Sequence, residues 1–198
     1  MARSAISDPI RNFKFQVTIN PGPGVLGNAA RGLDKLGFAA MSGLSVQNEM
    51  VGYREGGMNT HPHKFIGQSD FAPITFSRGV FSDQSQMYKW QQFLHSWNQA
   101  SGNSTSADNN YRCDILVKVF DHPVSSGSYS SPGDVDGQAP SPGDARFGFK
   151  VFNCWPGAYS LSDLNAGDSG IMVQQLTVHH EGFVVAWTKA EVEALASI

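Results

Sequence analysis

The sequence predicts a mainly β fold, antiparallel strands with one docked α-helix and a short C-terminal helix. Three observations carry this. Short runs of alternating apolar and polar residues recur from Phe13 to Trp187, and a period of two is the strand's own repeat. One segment alone, from about Asp83 to Ala100, repeats its apolar residues at three and four. Clusters of glycine, proline and serine separate the runs, as turns do.

Taken in order, Phe13, Phe15, Val17 and Ile19 fall on one face of a first strand, and Asn20-Pro21-Gly22-Pro23-Gly24 stops it. The stretch to Gly37 reads as a loop insertion. A strand across Phe38–Glu49 follows, broken at Ser42-Gly43. Residues 51–70 hold Gly52, Gly56, Gly57, Pro62 and Gly67 with few apolar side chains, so they form a mobile loop or an arm ordered by a neighbour. Period two resumes at Pro73–Ser77. Ser82 or Asp83 caps the helix, whose Met87, Trp90, Leu94 and Trp97 stripe docks on the sheet. Cys113–Phe120 and Phe147–Cys154 are paired strands around a Ser/Gly/Pro-rich loop, and Ile171–His180 and Phe183–Trp187 are two more. Thr188 and Glu191 make a capping box for the last helix.

The 198 residues suffice for a single domain with one core. Charged residues make up 16 % of the chain, against roughly 25 % in an average domain. Such a surface is poorly protected against association, unless its Ser, Gly and Asn loops simply replace charge. The net charge is −3 and no Lys/Arg cluster occurs, which argues against binding a nucleic-acid backbone. No apolar run begins the chain, and Phe183–Trp187 is too short to span a bilayer. These features predict assembly in a cytoplasm. A hairpin would set the two cysteines, Cys113 and Cys154, opposite each other as reduced, space-filling residues.

Catalytic and metal signatures are weak. His61 and His63 could share a strand face, but adjacent His179 and His180 point apart, and no third or fourth zinc ligand is spaced to join them. No Gly-x-Ser-x-Gly elbow is present. Asp163, Asn165 and Asp168 lack the spacing of a calcium loop and read as a turn. No catalytic, cofactor or metal residue is therefore assigned.

What remains is a set of glycine- and aromatic-rich blocks. Tyr53-Arg54-Glu55-Gly56-Gly57 has Phe38-Ala39-Ala40-Met41-Ser42-Gly43-Leu44 upstream, and Arg78-Gly79-Val80 with a Trp-bearing helix downstream. Asn153-Cys154-Trp155-Pro156, Asp163-Leu164-Asn165-Ala166 and His180-Glu181-Gly182-Phe183 follow near the C-terminus. In this order the blocks resemble the inner tube proteins of contractile phage tails and contractile injection systems. Against that family, residues 20–36 and about 122–145 look like insertions.

The resemblance implies a β-barrel or β-sandwich whose copies close into hexameric rings that stack into a hollow tube. It implies sheath and baseplate or terminator proteins as partners, DNA or protein cargo in the lumen, and a place in a virion tail or injection particle assembled in a bacterial cytoplasm. It assigns Tyr53, Arg54, Glu55, Gly56 and Gly57 to self-assembly, with Arg54 and Glu55 as ion-pair members between subunits. Two rival readings are a carbohydrate- or receptor-binding β-sandwich using Trp90, Trp97 or Trp155, and a hydrolase centred on His61 or His180.

Overall fold

A computed structural model describes residues 10, 12–21, 33, 36–57, 60–82, 84–98, 111–120, 145–167 and 169–197. The elements are β1 (Phe15–Pro21), β2 (Ala40–Ser42), β3 (Val46–Tyr53), β4 (His63–Phe71), β5 (Ile74–Gly79), α1 (Gln86–Asn98), β6 (Cys113–Phe120), β7 (Ala145–Leu161), β8 (Val173–His179), β9 (Gly182–Ala186) and α2 (Lys189–Leu195). Every pairing is antiparallel. The main sheet runs β1-β6-β7-β8-β5-β2, with β9 also on β7, while among the described residues β3 and β4 pair only with each other.

Strand β7 organises this order. Its first half lies between β6 and β9, and its second half pairs with β8. One long strand thereby belongs to two sheets. Both send side chains into one core: Val17, Ile19, Ile115, Val117 and Val151 from one, Ile74, Phe76, Leu176 and Val178 from the other. Among the described residues β1 and β2 do not pair with each other. Among the described residues, β1 and β2 stand at the two ends of the strand order of a mainly antiparallel β fold.

Period two explains the burial. Along β5 buried residues alternate with half-buried ones, from Ile74 through Phe76 to Arg78. On β6, Ile115 and Val117 enter the main core, while Leu116 and Phe120 face a second, smaller core with Ala186, Val192 and Leu195. That second core is closed by α2. Its capping box is present: Glu191 N–H donates to Thr188 Oγ1, and the Glu191 carboxylate accepts from Thr188 N–H at 3.2 Å.

The expected loop between β1 and Gly37 contains two core residues, Leu33 and Leu36. Phe13 lies outside β1 and is exposed. Helix α1 starts later than Ser82 or Asp83 would place it, at Gln86, with Lys89 N–H donating to Ser85 O, while Gln84 N–H donates to Phe81 O. Gln84 is occupied by Arg78, whose Nη2 donates to Gln84 Oε1. Arg78 is buried, and desolvation lowers its pKa. The helix stripe packs as expected at Met87 and Trp90, both without exposure, and Trp90 Nε1 donates to Tyr111 O at 3.4 Å. Leu94 is half-buried, and the side chain of Trp97 lies outside the described residues. So does the 122–144 segment.

Cys113 and Cys154 are cross-strand partners, both buried and both free thiols. Burial first, and then the Asp114 carboxylate, pushes the Cys113 thiol up to about 12. The same causes raise Cys154.

Two outcomes test this packing. Removing the Trp90 side chain should cost about 3–5 kcal/mol, so Trp90→Ala should fail to give folded, soluble protein in circular dichroism and sedimentation. A well-folded Trp90→Ala chain would place the stripe outside the core. Both thiols should resist iodoacetamide at pH 8 in the native state and react on unfolding, because the thiolate is the nucleophile. Linkage has the same sign: their contribution to stability is complete below the unfolded-state pKa and is lost as pH rises above it.

Candidate functional site: a projecting arm and its root

Two of the C-terminal blocks meet at the point where β7 changes sheets. Between Cys113/Cys154 and Ile115/Val151 the register shifts, with one more residue on β7 than on β6. Asn153 sits in this bulge with φ 53°, and it is the only non-glycine among the described residues with positive φ. Bulges turn corners, and Asn tolerates the left-handed region better than most residues. Across from it, β8 and β9 form one line along β7 broken at His180-Glu181.

Glu181 ties the two breaks together. Its carboxylate accepts from Asn153 Nδ2 at 2.7 Å and from Arg112 Nη1, and its N–H donates to Phe152 O at 3.2 Å. Asp114 accepts from the Asn153 N–H at 3.2 Å and pairs with the buried Lys150 at 3.3 Å. Strands β6 and β7, the residue before β6 and the β8–β9 turn are thus joined by polar groups at the level where the ladder is interrupted. Arg112 has its pKa raised, first by Tyr111 and then by Glu181. Beyond the bulge, Trp155 stacks on His179 with centroids 4.6 Å apart, and buried Pro156 adjoins a second register shift at Gly157.

The next residue fixes the root of the arm. His180 is buried, and its Nε2–H donates to Ala72 O at 3.0 Å. Its ring lies 5.6 Å from Phe71 and 6.2 Å from Phe183, and Phe71 is 6.0 Å from Phe183. Phe71 ends β4. On the other side of the root Gly43 has φ 97°, and a Cβ there would lie 2.4 Å from Pro73 O. Only glycine fits. Ala72 N–H donates to Ser45 O at 3.1 Å and closes the root.

From this root β3 and β4 project as a two-stranded hairpin. Residues 51–70, expected to be either a mobile loop or an arm, contain paired strands. The sequence signal was weak because the segment has no buried face to pattern it: all of β3 is exposed, and so is β4 apart from half-buried Gly67 and Phe71. Tyr53 ends β3, and Arg54 to Gly57 form the tip, with Gly57 at φ 100°. All five predicted assembly residues are exposed at the far end of the arm. Arg54 and Glu55 make no ion pair among the described residues.

The pairing places apolar residues on both faces. Met50 opposes Ile66 on one and Val51 opposes Phe65 on the other, and Ile66 is 87 % exposed. An isolated hairpin is marginal in water, and this one has apolar residues facing out on either side. Its chemistry is that of a segment covered by partners.

The other candidates fare differently. His61 and His63 lie near the tip with rings 6.1 Å apart, and His179 and His180 are on opposite faces, one exposed and one buried. Trp90 has no surface to offer a sugar, and Trp155 is occupied by His179. Asp163 to Ala166 lie in the exposed connection between β7 and β8.

Comparisons with known proteins agree with this geometry. The family model described as T4-like virus tail tube protein gp19 matches residues 11–184, which include the arm and the corner. A chain in the cryo-EM structure of the anti-feeding prophage cap (the tube terminating cap) is 21 % identical, with TM-score 0.61 over 94 % of this chain and 97 % of that one. A chain in the sheath-tube complex of an extracellular contractile injection system, in the extended state, is 20 % identical with TM-score 0.62, covering 93 % of this chain and 95 % of that one. A chain of the six-fold symmetrised anti-feeding prophage baseplate gives 17 % and 0.60 over 90 % and 96 %. At these identities the likeness is one of fold. No curated protein gives a significant match.

Two substitutions separate the roles of Asn153. Asn153→Gly keeps the left-handed backbone and loses the bond to Glu181, at about 1 kcal/mol. Asn153→Ala loses the bond and adds strain of about 1–2 kcal/mol. Chemical denaturation should therefore rank wild type above Asn153→Gly above Asn153→Ala. Equal stability of the two variants would mean that the backbone strain at the corner is negligible.

Proposed function

Because the chain belongs to the T4-like tail tube protein family, and so is a structural subunit of such a tube, we propose that the β3–β4 arm is the element by which its copies join. The observation that carries this is the exposed arm itself, with apolar pairs on both faces and a charged tip. A hairpin with two apolar faces is best covered by lying between two other surfaces, which neighbouring copies provide. β1 and β2, at the ends of the described strand order, offer further main-chain pairing to an adjacent copy.

Six copies close into a ring and rings stack. A contact repeated around an axis closes, whereas the axial contact does not close and propagates a filament. Tyr53, Arg54, Glu55, Gly56 and Gly57 are the assembly residues, with Arg54 and Glu55 pairing across the subunit boundary. The modest charge of the chain, −3 with few cations, suits a conduit that passes DNA or protein cargo without retaining it. The role is structural and non-enzymatic. Sheath, baseplate and terminator proteins are its partners in a phage tail or injection particle assembled in the bacterial cytoplasm.

The tip decides the test. If Arg54 and Glu55 were only solvated residues of a monomer's own turn, replacing them would change stability by about 0–1 kcal/mol. Between subunits, each truncation leaves a partner charge uncompensated, at about 2–5 kcal/mol. Arg54→Ala/Glu55→Ala should therefore leave the circular dichroism of the subunit unchanged and give monomers or isolated rings in place of tubes by negative-stain microscopy. Tubes of normal length in the double variant would remove the tip from the interface.

A further inference from the structure

Resting on the reading of the chain as a tube subunit, the geometry assigns the surface that receives the arm. The arm leaves the body at the Ile74 end of β5, where Ala72 is bonded to Ser45 and His180. At the other end of β5, Gly79 lies opposite Val173, and Val80 N–H donates to Met172 O at 3.0 Å. Five residue steps separate the two ends, roughly 17 Å at strand rise. At that far end the β7–β8 connection forms a rim on which Leu164 and Ile171 are each 83 % exposed, and Leu161 is half exposed. Apolar residues so exposed, on a loop with a single described charge, mark a covered surface.

The charges match. On the arm, Lys64 opposes Gly52 and shares a face with Met50 and Ile66, since alternate strand residues point the same way. Glu49 and Asp70 belong to the opposite face, so Lys64 is the only charge among the described residues of this one. On the rim, Asp163 is the only charge among the described residues from 160 to 172. An apolar face whose described cation is Lys64, at one end of the molecule, thus complements an apolar rim whose described anion is Asp163 at the other. Complementary patches at opposite ends are what a head-to-tail contact needs, and such a contact propagates.

We propose that the Met50–Ile66 face of the arm seats on the Leu161–Leu164–Ile171 rim of the next copy along the tube, with Lys64 beside Asp163. Both charged side chains are exposed, so their substitution leaves the fold intact. Assembly of purified chain is followed by sedimentation and negative-stain microscopy against protein concentration. Lys64→Glu and Asp163→Lys, each placing like charges together, should raise the concentration needed for tubes about tenfold or more. The Lys64→Glu/Asp163→Lys double variant should return it to the wild-type range. Single variants without effect would overturn the contact. So would a double variant as defective as the singles, which would put the arm face against a lateral neighbour or a different protein. Wild-type chain that stays monomeric at every concentration would overturn the tube reading and this contact together. Wild-type tubes with indifferent charge swaps would overturn the contact alone.

Discussion

The fold depends on one carboxylate at an interrupted ladder. Strand β7 must leave one sheet and enter another, and a strand can do so only where its regular hydrogen bonding is suspended. The suspension occurs at Asn153 on β7 and at His180-Glu181 between β8 and β9, directly alongside. Backbone groups freed at such a point need other partners. The Asn153 N–H donates to Asp114, while Glu181 accepts from the Asn153 side chain and from Arg112 and donates its own N–H to Phe152 O. Hydrogen bonds to an ionised acceptor are about twice as strong as neutral ones, and here they act where the sheet is weakest. The blocks around Asn153 and His180 are one structural joint.

The joint also aims the arm. His180 follows β8 directly, and its bond to Ala72 and its contacts with Phe71 and Phe183 set where β4 emerges. Gly43 sets the other strand by permitting a backbone approach that any side chain would block. A rigid root therefore carries an exposed, apolar hairpin. Such an arrangement has a cost for the lone subunit, which presents residues like Ile66 to water. It becomes favourable only when another surface covers them.

Much of this was legible in the sequence. Alternation gave β5, the three-and-four repeat gave α1, and Thr188 with Glu191 gave α2, because each of these has one face in a core or a local cap that leaves a pattern. The break at Ser42-Gly43 was visible because a positive φ demands glycine. Of the arm, only the first half of β3, Val46–Glu49, fell in an expected strand; the rest of Val46–Tyr53 and all of His63–Phe71 were not visible, since they bury almost nothing within the subunit. Nor was the continuation of β7 past Cys154, which passes through a bulge and a buried proline that ordinarily end a strand. The start of α1 was misplaced because Ser85, not Ser82 or Asp83, accepts the first helical N–H, from Lys89. Leu33 and Leu36 were missed because they enter the core from a segment without periodicity.

The segment that sequence patterning describes least well is also the one on which assembly is proposed to depend, and the reason is physical. Periodicity records burial inside one chain. A surface buried only between chains has its pattern set by two bodies, so on the arm apolar residues fall on both faces and no period-two signal survives. Fixing the root in advance reduces the conformational freedom lost when the arm docks, which raises the net return of each contact. A tube repeats every contact at each subunit, so a modest gain per arm is multiplied along its length. That multiplication lets the arm remain weakly apolar and lightly charged, soluble enough on a single subunit and adhesive only in an array.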